Sequence, residues 1–186
     1  MSVHQGKVNN CLSMTLYYNV SGQVSITMLS YVAEIITAFN KVDLKRKGTN
    51  WSATPNNIFV VNWDCKKLDQ AKVVEFHNLV ANSLYVNNRA RPHTYTSISF
   101  ITTRVWASNE DYWDTLVHLM QYLIVTGKLS LNLSANICGI LKLWVYAPFA
   151  FHPNMLVHSG GVLSLWSGFP IIISTKKKIN TKLRQT

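Results

Sequence analysis

SNEDYWDTLVHLMQYLIVTGKLSLNL, Ser108 to Leu133, contains the change of rhythm that decides the fold. In its first part Trp113, Leu116, Val117, Met120, Leu123 and Ile124 recur at three- and four-residue spacing, which makes one apolar helix face. Core packing is the plain role of such a stripe. Ser108 is an N-cap residue by type, and Asp111 three positions on completes a capping-box pattern. Gly127 suits the C′ position that ends a helix. Beyond it KLSLNL alternates with a period of two, the rhythm of a strand.

Toward the N-terminus, residues 11 to 27 alternate like strands, with a turn from Asn19 to Gln23 around Gly22. Leu29, Val32, Ile35, Ile36 and Phe39 form a first helical stripe. Lys41 to Asn57 is basic and turn-rich, contains Pro55 and the run KRKG, and reads as a solvated loop. Val73, Phe76, Val80 and Leu84 form a second stripe between Leu68 and Val86, broken by NNRARP. Pro92 opens a third helix running to about Arg104, because a missing N–H costs nothing in a first turn. Toward the C-terminus ILKLWVYA, GGVLSLW and PIIIST are strand candidates separated by Pro- and Gly-containing turns, followed by the polar tail STKKKINTKLRQT. The expected fold class is α+β, with a mainly helical part over 1–127, a linker and strand over 128–139, and strands with a basic tail over 140–186.

Apolar residues make up 48% of the chain and charged residues 14%, which fits a packed globular protein rather than a disordered one. Eighteen Lys and Arg against eight Asp and Glu give +10, an excess that suits an anionic partner, nucleic acid first. No Asp or Glu follows Asp114. Cys11, Cys65 and Cys138 lie far apart without zinc-finger spacing and read as reduced, buried thiols. MSVHQGKVNN has no apolar signal core. The longest apolar region, Gly160 to Ile173, is interrupted by Ser164, Ser167, Gly168 and Pro170, so no membrane span is expected. An intracellular location, cytoplasmic or nuclear, is the expectation.

Five pieces in order resemble the C-terminal part of a copia-type retrotransposon polyprotein. NNCLSMTLYYNVSGQVSITMLSYVAEII resembles the segment after the polymerase active site, and ATPNNIF the Thr-Pro connector. RARPHTYTSISFITTRV resembles the family's Arg-Pro-Asp-Ile helix, and SNEDYWDTLVHLMQYLIVTGKLSL its Trp-containing helix. VYAPFAFHPNMLVHSGGVLSLW with ISTKKKINTK resembles the first three strands of the ribonuclease H domain. The resemblance implies a thumb- and connection-like helical segment followed by a truncated three-stranded antiparallel ribonuclease H-like sheet. It also implies a family role in RNA-directed DNA synthesis and RNA–DNA hybrid processing, with Mg²⁺ as the intact family's cofactor.

The departures bear on chemistry. No Tyr-x-Asp-Asp motif and no Asp-Asp pair is present. Ser13 stands where the family usually has Gly, His93 where it has Asp, and Tyr146 where the ribonuclease H aspartate is expected. Two-metal hydrolysis needs carboxylates to hold hard cations. A phenol with a pKa near ~10 is neutral at pH 7 and cannot replace one. His152 and His158 make at most two ligands where a catalytic zinc usually has three, and Ser159 lacks a nucleophile-elbow context. The sequence therefore points to a catalytically silent chain with no catalytic residue, no cofactor and no small-molecule substrate. The activity left to it is contact with the backbone phosphates of RNA or RNA–DNA hybrid. The candidate contacts are Arg89, Arg91, Lys176, Lys177, Lys178, Lys182 and Arg184. The alternative is a small basic protein co-opted from such an element as a nucleic-acid-binding or interaction module. Leu163, Leu165, Ile171 and Ile173 are expected to leave an exposed apolar patch or an adhesive sheet edge.

Overall fold

The computed structural model describes residues 6–20, 22–42, 50–134, 140–146, 156–165 and 171–178. For 41, 42, 146, 156–159, 165 and 171–178 it describes the backbone alone. The fold is mixed α+β, with helices and antiparallel sheets. Strands β1 (Val8–Cys11), β2 (Met14–Tyr18) and β3 (Val24–Thr27) lead into helix α1 (Leu29–Val42). Helices α2 (Gln70–Arg89), α3 (Tyr95–Thr102) and α4 (Glu110–Thr126) follow, then β4 (Leu131–Leu133), β5 (Leu141–Tyr146), β6 (Leu156–Leu165) and β7 (Ile171–Lys178). The first four strands are neighbours in the order β1-β2-β3-β4, and the last three form a second sheet in the order β5-β6-β7. The chain divides into two compact units, one of Met1–Tyr18 with Ser25–Leu131 and the other of Asn19–Val24 with Asn132–Thr186.

The core of the first unit is built on the α4 stripe. Trp113, Leu116 and Met120 are completely buried, together with Phe76 of α2 and Ile98 and Ile101 of α3. Each such side chain stabilises the unit by about 1.5–3 kcal/mol relative to exposure. The buried face is wider than the stripe: Tyr112, Leu119 and Tyr122 join it, while Ile124 stays 39% exposed. Both helix ends differ from the pattern in the sequence. The N-cap is Asn109, not Ser108, and its side-chain oxygen accepts from the Tyr112 N–H at 3.0 Å. Asn109 and its neighbour are also fixed by a second strand-like contact, since Glu110 N–H donates to the Lys66 carbonyl. Gly127 is the C-cap itself, in right-handed conformation (φ −51°, ψ −30°), so its left-handed freedom is not used.

Helix α2 starts where Asp69 accepts from the Lys72 N–H at 2.8 Å. Lys72 then reaches Glu110 at 2.9 Å and lies over the Trp113 ring at 4.7 Å, joining the starts of α2 and α4. The helix runs through NNR to Arg89 rather than breaking after Val86. Asn87, 1% exposed, is tolerated there because its side-chain oxygen accepts from the Thr94 hydroxyl at 3.0 Å. Pro92 opens a short 3₁₀ turn, Pro92–Thr94, that passes into α3. Helix α3 stops at Thr102, short of Arg104. The hydroxyls of Thr102 and Thr103 bond back to the Ser99 and Phe100 carbonyls, and Val105–Ala107 makes a further 3₁₀ turn.

In the β1–β2 hairpin Cys11 pairs with Met14, so Leu12 and Ser13 form the turn. Both have positive φ, 51° and 63°, a conformation that favours Asn-Gly. The left-handed region costs an L-residue roughly 1–2 kcal/mol. The Tyr85 hydroxyl donates to the Leu12 carbonyl at 2.9 Å and holds this turn. The Asn19–Gln23 turn has Gly22 at φ 78°, with the Asn19 side chain accepting from the Gln23 N–H. Among the described residues no helix is long and apolar enough to cross a membrane.

Candidate nucleic-acid interface

Arg89 sits on the last turn of α2, four residues after Tyr85, so the two side chains share one face of the helix. The guanidinium carbon lies 3.7 Å from the Tyr85 ring centroid. Tyr85 in turn packs against Tyr31 of α1, with centroids 5.1 Å apart, and the Tyr31 hydroxyl donates to Asn82 at 3.0 Å. Burial, then the neighbouring Tyr85 and Glu34, push the Tyr31 phenol up, while Arg89 pulls it down. No carboxylate or carbonyl among the described residues accepts from the Arg89 guanidinium. It is half-buried and lies over the Tyr85 ring. A planar fork in that setting is suited to the oxygens of a phosphate.

Arg91 is two residues away and does something else. Its side chain is 2% exposed, and one terminal nitrogen donates to the Thr126 carbonyl at the end of α4. The other terminal nitrogen is buried without a hydrogen-bond partner. Burial lowers its pKa, partly offset by Tyr122. The positive group faces the negative end of the α4 dipole, a favourable place for a cation. A guanidinium enclosed in this way cannot reach a phosphate backbone, so the expectation for Arg91 fails on burial. His93, next to it, packs edge-on against Tyr122 with centroids 5.7 Å apart. Partial burial and then the Arg91 charge push its imidazole below the ordinary value.

The sheet of the second unit fixes the other candidates by register. Tyr146 pairs with Gly160, which pairs with Ser174, so the position expected to hold a carboxylate closes β5. On β7, Lys176 pairs with His158, Lys177 with Val157 and Lys178 with Leu156, three consecutive cations along one edge strand. Lys182, Arg184, His152 and the run KRKG lie outside the described residues. Of the four apolar positions expected to be exposed, Leu163 is half-buried, and the side chains of Leu165, Ile171 and Ile173 are not described. Among the described residues no three His, Cys, Asp or Glu side chains come together as metal ligands would.

The sequence pattern did not single out Tyr31, Tyr85 or Arg104. Tyr85 was legible from its four-residue spacing to Arg89. Tyr31, 54 positions earlier than Tyr85, was not. Arg104 lies over Phe100 and Tyr112, at 5.2 and 5.8 Å, which needs the α3–α4 packing to be known. Comparison with models of protein families, with curated proteins and with solved structures finds no match for this chain.

Proposed function

We propose that the chain is a catalytically silent segment of a copia-type retroelement reverse transcriptase and ribonuclease H polyprotein. What it retains is weak, sequence-indifferent binding to the backbone phosphates of RNA or RNA–DNA hybrid. The finer fold reading belongs to the same proposal: a thumb- and connection-like helical part, then a ribonuclease H-like sheet. The observation that carries it is the combination at the end of β5. Tyr146 occupies the position where the resemblance calls for aspartate, and no Asp or Glu follows Asp114 anywhere in the chain. Metal-assisted phosphodiester hydrolysis has no ligand set there.

The binding half of the proposal rests on charge. Residues 128–186 hold seven Lys and Arg and no Asp or Glu, and Arg89 adds an oriented fork in the first unit. The test has two parts. Incubating the chain with labelled RNA–DNA hybrid and Mg²⁺ or Mn²⁺ gives no cleavage. Turnover abolished by a substitution within residues 140–186 overturns silence. Hybrid affinity, measured by fluorescence anisotropy, falls steeply with salt. Absence of binding at low salt removes the nucleic-acid reading.

A further inference from the structure

Strand β5 ends its sheet: β6 lies on one side, and among the described residues no strand lies on the other. Four of its side chains are exposed, while Lys142 is half-buried. Leu141, Leu143 and Val145 are 62%, 60% and 70% exposed on one face, and Trp144 is 53% exposed on the other. Natural sheets protect such edges with charges, prolines or bulges. The opposite edge, β7, has Lys176, Lys177 and Lys178 in sequence, whereas β5 has Lys142 alone.

We propose that β5 pairs antiparallel with β5 of a second copy, joining two three-stranded sheets into one of six strands. The strand is self-complementary about Leu143. With Leu143 opposite Leu143 of the second copy, Leu141 meets Val145 of the second copy on one face. On the other face Lys142 meets Trp144 of the second copy, an arrangement that occurs twice by symmetry. Directly opposed pairs of these kinds stabilise antiparallel sheets, and an ammonium beside an indole face adds attraction. A register centred on Lys142 sets like charges opposite each other and is disfavoured. The pairing is two-fold and closed, because it uses up β5 and leaves only the lysine-bearing β7 edges outside. A second copy fits this edge better than an unrelated strand because the same five residues, Leu141 to Val145, supply both halves of every pair.

This pairing does not rest on nucleic-acid binding and has the opposite salt dependence. Each copy carries +10, so the copies repel and added salt tightens their association. The experiment uses the full chain with Cys11→Ser, Cys65→Ser and Cys138→Ser. Sedimentation velocity gives a monomer–dimer equilibrium that shifts to dimer between about 0.1 and about 0.5 M salt. Leu143→Lys weakens it by about tenfold or more. In the same background Leu143→Cys forms a disulfide-linked dimer under mild oxidation, since directly opposed positions have suitable Cβ spacing, while Lys142→Cys cross-links far more slowly. A monomer at every concentration and salt, open-ended aggregation instead of dimer, or equal cross-linking at both positions overturns the proposal. The cross-linking comparison decides the matter if Leu143→Lys disturbs folding.

Discussion

Arg89 and Arg91 are two residues apart, and the structure gives them separable roles that substitution will pull apart. Truncating Arg91→Ala removes a charge-assisted hydrogen bond to the Thr126 carbonyl, worth about 1.5–3 kcal/mol. It also removes the two buried methylenes beyond Cβ, about 1.6 kcal/mol more at ~0.8 kcal/mol per methylene. Against this, the variant relieves the second terminal nitrogen, which is buried without a partner at a cost of about 1–3 kcal/mol. The net loss is about 2 kcal/mol, which lowers the melting temperature of a unit this size by roughly 8 °C. Arg91→Met keeps the stem and drops the charge, and recovers about half of the loss. Arg89→Ala loses only a cation–π contact at a half-exposed site, about 0.5–1 kcal/mol. Its effect falls on binding: affinity for hybrid drops, and the slope of log K against log salt becomes shallower by about 0.7–0.9. Urea unfolding and anisotropy titrations on the same three variants measure both quantities. The reasoning is refuted if Arg91→Ala leaves stability unchanged while reducing the salt slope, or if Arg89→Ala changes stability and not binding.

Two further outcomes follow from geometry. Asn109→Ala costs about 1 kcal/mol in urea unfolding through loss of the α4 cap, and Ser108→Ala costs clearly less; the reverse order would return the cap to Ser108. His93 has a folded pKa below its unfolded value of about 6.5, so the unfolded chain binds its proton first as pH falls. Its contribution to stability is present above that value and is lost as pH drops through the folded pKa. Thermal melts from about pH 8 to about pH 5 fall less steeply for His93→Gln than for the parent, and parallel curves would exclude His93 as a source of the dependence.

The helices were legible because their apolar stripes are long. Trp113, Leu116 and Met120 announce both the helix and the core, and the switch to KLSLNL announces strands. What stayed hidden depends on partners distant in sequence. Ser108 and Asn109 are both good caps by type, and the pairing of Lys66 and Lys67 with the Asn109 region places the second one at the helix start. Asn87 looked like a helix breaker until Thr94 supplied its hydrogen bond. Arg91 looked like a surface cation beside a helix start, and only the approach of the α4 carboxyl end makes it an interior one. An adhesive edge is expected around Leu163, Leu165, Ile171 and Ile173, and that β5 is an edge strand follows only from the pairing order. The candidate interface is therefore partly legible: Arg89 and Tyr85 from charge and spacing, the Tyr31 ring behind them only from the fold.

The Leu12–Ser13 turn also has a consequence for the order of folding. Two L-residues in left-handed conformation make the local closure of the β1–β2 hairpin unfavourable, so the hairpin is a poor nucleus. Its turn is held by a hydrogen bond from Tyr85, 73 positions away, which exists only after α2 is in place. The helices with local contacts assemble first and the hairpin closes onto them late. Substitutions in β1 and β2 accordingly speed unfolding and leave the folding rate nearly untouched.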